Sequence, residues 1–129
     1  MGMYTELVFA CELKKEVPGE VIELLEFMVG KTNIEPMTPN HPLFGNTRWR
    51  MMLKSDSYYF DGDTHSTIRF DKISQSHYLT IRCNLKNYDS EIELFLDWIK
   101  QYVDLIEDYP EFKGYYLYEE AEKPTLIYL

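Results

Sequence analysis

The chain is poor in the residues that staple a fold, anchor it in a membrane or announce a chemistry by motif. It has two cysteines, Cys11 and Cys83, too few for a disulfide scaffold. Both fall on the apolar side of strand-like alternation, where a reduced cysteine behaves as a small hydrophobe. The three histidines, at 41, 65 and 77, are never within three residues of one another. With no Cys-x-x-Cys pair either, the common zinc spacings fail. The longest apolar run, Leu7 to Cys11, is far below the ~20 residues of a membrane helix. Glu6 and Glu12 flank it, which excludes a secretory signal there. A cytoplasmic protein with no membrane association is the expectation.

Positive charge is scarce as well. Thirteen Lys and Arg face 22 Asp and Glu, a net charge of −9. General attraction to nucleic acid or anionic lipid is therefore disfavoured, while a local basic patch is still allowed. Gly30-Lys31-Thr32 resembles the end of a phosphate loop. The required earlier glycine is absent, because position 25 is Leu, and a helix precedes the tripeptide where a strand is needed. There is no Gly-x-Ser-x-Gly elbow and no Gly-x-Gly-x-x-Gly turn. Asp61, Asp63 and His65 are the one metal-like cluster, and Asp and Gly in a turn explain it more simply. No metal and no cofactor is expected. Enzymatic activity is left open, leaning against.

What is abundant is apolar and aromatic surface, 45% and 16% of the 129 residues, enough for one core and one domain spanning 1–129. Residues 4–13 alternate with period two, Leu7, Phe9, Cys11 and Leu13 on one side, which predicts a half-buried strand. Pro18 and Gly30 bracket an amphipathic helix with Val21, Leu24, Leu25 and Met28 on one face. Pro36, Pro39 and Pro42 stiffen a long loop over 31–46, with the spacing of a polyproline ligand as the sharper reading. Alternation predicts a strand over 47–54, a hairpin turn at Asp61-Gly62-Asp63, and strands over 64–71 and 77–86. A Ser90/Glu93 capping box opens a helix over 90–107, and two more strand-like segments lie near 115–118 and 125–129. The order β-α-β-β-β-α-β predicts an α+β two-layer sandwich: a mainly antiparallel sheet of five or six strands with two amphipathic helices on one face. A variant of the ferredoxin-like arrangement is one way to connect it.

Two surface constellations follow. With the helices on one side, the opposite face of the sheet gathers Arg48, Arg50, Lys54, Arg69, Arg82 and Lys86. His65 and Tyr78 stand among them. Arginine forks and a neighbouring aromatic suit phosphates, carboxylates and stacked bases. The plainer reading is a solvated face in which Glu6, Glu12 and Asp71 offset the cations across strands. The second is Leu94, Trp98 and Leu105, a minor apolar stripe on the 90–107 helix. Trp98 is either covered by this chain or by a partner, including a second copy. Eleven tyrosines favour binding surfaces. The expected function is a small acidic interaction protein that binds another protein, as an adaptor, inhibitor or immunity-like factor does. The alternatives are nucleotide or nucleic-acid contact through the arginine-rich face, and a small enzyme or ligand-binding domain without a recognisable motif.

Overall fold

The structure, a computed structural model, describes residues 3–129. The elements run β1 (Thr5–Glu12), α1 (Gly19–Met28), β2 (Thr67–Asp71), β3 (Ser76–Leu85), α2 (Glu91–Ile99), β4 (Phe112–Tyr118) and β5 (Thr125–Tyr128). The five strands form one antiparallel sheet in the order β2-β3-β1-β4-β5. α1 links β1 to β2 with β3 lying between them, and α2 links β3 to β4 with β1 between. These two interlocked crossovers are the ferredoxin-like connectivity, extended by β5 at one edge. The expected α+β sandwich is present.

Register explains the core. Leu7 pairs with Cys83, Phe9 with Ile81 and Cys11 with Leu79, so the apolar sets of the two central strands share one face. Phe9 meets Phe95 of α2 edge-on, with ring centres 6.2 Å apart. Val21, Leu24, Leu25, Phe27 and Met28 of α1 join the same buried cluster. Gly30, at φ +87°, closes α1: its N–H donates to Phe27 O, and Lys31 N–H to Glu26 O. This double bond pattern at a left-handed residue is a Schellman stop. Gly114 is required for another reason. At φ +148°, a Cβ there would stand 1.9 Å from the carbonyl oxygen of Val8.

Four expectations about local structure are corrected. Residues 47–54 are not a strand: Thr47–Arg50 is a 3-10 turn followed by turns. Trp49, Met52 and Leu53 are buried and Met51 is exposed, a helical rather than a period-two pattern. Asp61-Gly62-Asp63 does not turn a hairpin; it lies in the irregular segment before β2. The helix expected over 90–107 ends at Ile99 and passes into a 3-10 turn, Lys100–Tyr102. Its continuation is claimed by the end of β1: Val103 bridges Leu13, Lys14 N–H donates to Tyr102 O, and Asp104 N–H donates to Glu12 O. The Ser90/Glu93 capping box is also absent. Ser90 sits at φ 58° without a side-chain cap bond, and Asn87 Oδ1 instead accepts Ile92 N–H at 2.8 Å.

Candidate functional site

The expected arginine-rich face is divided. Arg48 and Arg50 lie on the 3-10 turn, beside helical elements rather than on the sheet. Arg48 donates through Nε to Glu91 Oε1 at 2.8 Å and through Nη2 to Asp89 Oδ2 at 2.7 Å. Its second bond to Glu91, from Nη2, completes a fork on a carboxylate that is 1% exposed. That carboxylate holds the Arg48 guanidinium above its ordinary value. Arg50 grips Glu35 of the loop after α1 at 2.6 Å. Lys54 lies over the Phe27 ring at the end of α1, and Lys86, just past β3, lies over Tyr4.

The structure does bring His65, Arg69, Tyr78 and Arg82 together on the sheet face turned away from the helices. Arg69 pairs with Tyr78 across strands, its guanidinium 4.7 Å from the ring centre. His65 and Arg82 exchange both backbone hydrogen bonds. Arg82 is committed: Nη2 donates to Glu6 Oε2 at 2.9 Å, and Tyr115 Oη donates to the other Glu6 oxygen at 3.1 Å. Burial, then the Glu6 carboxylate, push the Tyr115 phenol up. Segment 55–65 covers this end of the face. Gly62 lies so close to the Arg82 guanidinium that a Cβ would stand 1.8 Å from Nη2. Tyr59 reaches across to donate to Glu119 O at 2.8 Å. Glu6 pairs with Arg82 and the Asp71 carboxylate feels the Arg69 charge, so two of the expected cations on this face are offset.

The minor stripe of α2 is corrected as well. Trp98 is 1% exposed and packs against Phe44, Phe95 and Tyr102 of its own chain. Leu105 lies beyond the helix end, and Leu94 is half-buried. The three do not form an external contact surface. Among the described residues no group of three His, Cys, Asp or Glu can hold a metal ion, so Asp61, Asp63 and His65 do not converge. Cys11 and Cys83 are free and buried. Burial pushes the Cys11 thiol up to about 12 and raises Cys83 also, which removes the thiolate a nucleophile needs.

The surface that sequence reasoning missed lies at the opposite end of the same sheet face. Phe112, Leu126 and Tyr128 are each about half exposed, at 55%, 51% and 54%, and Phe112 and Tyr128 touch edge to face at 5.7 Å. Leu126 pairs with Tyr115 and Tyr115 with Val8, which continues the apolar surface inward to β1. β5 is the sheet edge. Leu129 exchanges both backbone bonds with Glu111 of the neighbouring segment. Alternation along a strand then turns the N–H and C=O groups of Tyr128 and Leu126 away from the sheet. The other edge, β2, carries Arg69 and Asp71 with Lys72 following, the usual protection against stray pairing. The four residues of β5, Thr125–Tyr128, carry no charge at all. The uncharged Thr125-Leu126-Ile127-Tyr128 run was the available signal. No protein-family model, no curated protein and no solved structure matches this chain.

Proposed function

We propose that this protein is an interaction module that takes an extended, uncharged segment of another protein as a sixth strand along β5. The observation that carries the reading is the unprotected β5 edge, with outward backbone groups at Leu126 and Tyr128 beside an exposed apolar surface. Strand addition draws affinity from main-chain hydrogen bonds and selectivity from alternate side chains. Every second partner residue would lie beside Leu126 and Tyr128 and should be aliphatic or aromatic. The net charge of −9 favours a partner with basic residues flanking that segment, mainly through the encounter rate. An adaptor or inhibitor acts in this way, by occupying a strand that a partner exposes.

The test uses synthetic extended peptides alternating Val and Tyr with Thr, flanked by Lys, against a composition-matched peptide with the alternation scrambled. Binding is followed through the backbone amide resonances. The alternating peptide should shift Leu126 and Tyr128 amides most, and Leu126→Lys with Tyr128→Lys should abolish binding while preserving the fold, since both positions are half exposed. Equal binding of the scrambled peptide, or shifts centred elsewhere, would overturn the proposal. A concentration-dependent dimer of the unliganded protein that these substitutions dissolve would reassign the edge to self-association.

A further inference from the structure

A cleft of about 290 Å³ opens on the helix-bearing side of the sheet, beside the entry to α2. Leu7 belongs to the core, and its partner on β4 is Tyr116; two residues along, Thr5 lies opposite Tyr118. Period two puts these four side chains on one side of the sheet. The loop entering α2 adds Asn87 and Tyr88, and Met3 completes the lining. The three tyrosines and Met3 carry most of the carbon in this set. The lining is mainly apolar, so ring surface is what a ligand meets. The volume sits near the lower end of small-molecule sites, about 300–1,000 Å³, which suits a compact head group.

The charge around the rings has one sign. No Lys or Arg lines the cleft. Burial first, and then the Glu93 carboxylate, push the Tyr116 phenol up. Burial, then Glu120 and Glu119, do the same at Tyr118. Glu93 and Glu120 are exposed, and neither joins an ion pair among the described residues. Arg48 stands 5.7 Å from the Tyr88 ring centre, so that ring already receives one cation, whose charge Asp89 and Glu91 offset. Electron-rich rings attract cations. A bare ammonium needs hydrogen-bond acceptors that rings supply poorly, whereas a fully alkylated nitrogen needs none. We infer that this cleft binds a quaternary ammonium group, held among the Tyr88, Tyr116 and Tyr118 rings, with Glu93, Glu119 and Glu120 supplying the opposite charge. The inference is independent of the β5 reading, because Leu126 and Tyr128 lie on the other side of the sheet.

The probe is choline, and 3,3-dimethyl-1-butanol, with carbon in place of nitrogen, is its neutral isostere. Binding is followed through the Tyr88 and Tyr118 amide resonances. The methyl protons of choline should move upfield, the ring-current signature of methyl groups over aromatic faces. A Kd of about 1 mM is expected for so small a ligand, and the isostere should bind about fivefold more weakly, the scale of an exposed cation–π contact. Tyr88→Leu and Tyr118→Leu, both at exposed positions, should each weaken choline about fivefold. Tyr118→Phe should retain it, since the ring and not the hydroxyl is used. A trimethyl-lysine peptide separates the sources of the group: tighter binding than choline assigns the site to a methylated side chain of another protein, weaker binding to a choline-like small molecule. Leu126→Lys should leave the titration unchanged, which separates this site from the β5 edge. Amides that stay fixed up to about 20 mM choline, far above the expected Kd, would overturn the inference. So would equal affinity for the charged and neutral probes, or leucine at 118 serving as well as phenylalanine.

Discussion

Arg48→Ala should be among the most destabilising changes outside the apolar core. Glu91 is 1% exposed and its carboxylate accepts three hydrogen bonds: two from Arg48 and one, at 3.1 Å, from the Asp89 N–H. Alanine at 48 removes two of the three and strands a buried charge. Breaking a fully buried pair costs about 3–5 kcal/mol. The Arg48 side chain is 40% exposed, so water replaces part of what it supplied, and about 2–3 kcal/mol is expected. At this chain length that corresponds to a Tm lower by about 10 °C. Arg48→Lys keeps the charge but loses the two-donor fork and should cost about 1 kcal/mol. Equilibrium urea unfolding measures both. Adding Glu91→Leu to Arg48→Ala removes the stranded carboxylate and should recover about 1 kcal/mol. An Arg48→Ala protein within about 0.5 kcal/mol of wild type, the scale of ordinary surface changes, would refute the reasoning. So would a double variant as unstable as the sum of the single ones.

Gly114→Ala should lose about 3 kcal/mol or more, because the new methyl meets the Val8 carbonyl and the backbone sits at φ +148°; near-wild-type denaturation would contradict the close approach of β4 to β1. The acid limb of stability should depend on Asp97, whose carboxyl is held below its ordinary range by the bond to His41 and then by Lys100. A depressed folded value means the stabilisation is full above the unfolded pKa of about 3.9 and is lost as pH falls through the folded one. Asp97→Asn should therefore flatten the fall of Tm between about pH 5 and pH 2, and parallel curves for the two proteins would exclude the effect.

Elements whose period agrees with their burial were readable without coordinates. β1 and β3 alternate because one face of each meets the helices, and α1 shows its stripe between a proline and a left-handed glycine. The segment 47–54 misled because apolar residues at 49, 51 and 53 satisfy period two while 49, 52 and 53 satisfy a helical turn, and short runs admit both. Only the packing of Trp49 against Phe27 and Phe44 selects the second. The end of α2 was illegible for a different reason: the stripe continues through Val103 and Ile106, but the competing partner is β1, far away in sequence. The candidate surfaces suffered most from these errors. Placing Arg48 and Arg50 on a strand assembled a cationic face that tertiary pairing with Glu91 and Glu35 dissolves. The β5 edge, in turn, required strand order, which alternation cannot supply.

The position of β1 has a consequence for how the protein is made. Its two neighbours are distant in sequence: Thr5 lies opposite Leu85 on one side and Tyr118 on the other. During synthesis this apolar segment emerges before both of its partner strands and waits for β3 and then β4 before its two ladders close. Such long-range closure slows folding and lengthens exposure to aggregation and to chaperones. Yield in a cell should therefore depend more on the fate of the nascent chain than on the strength of the finished core.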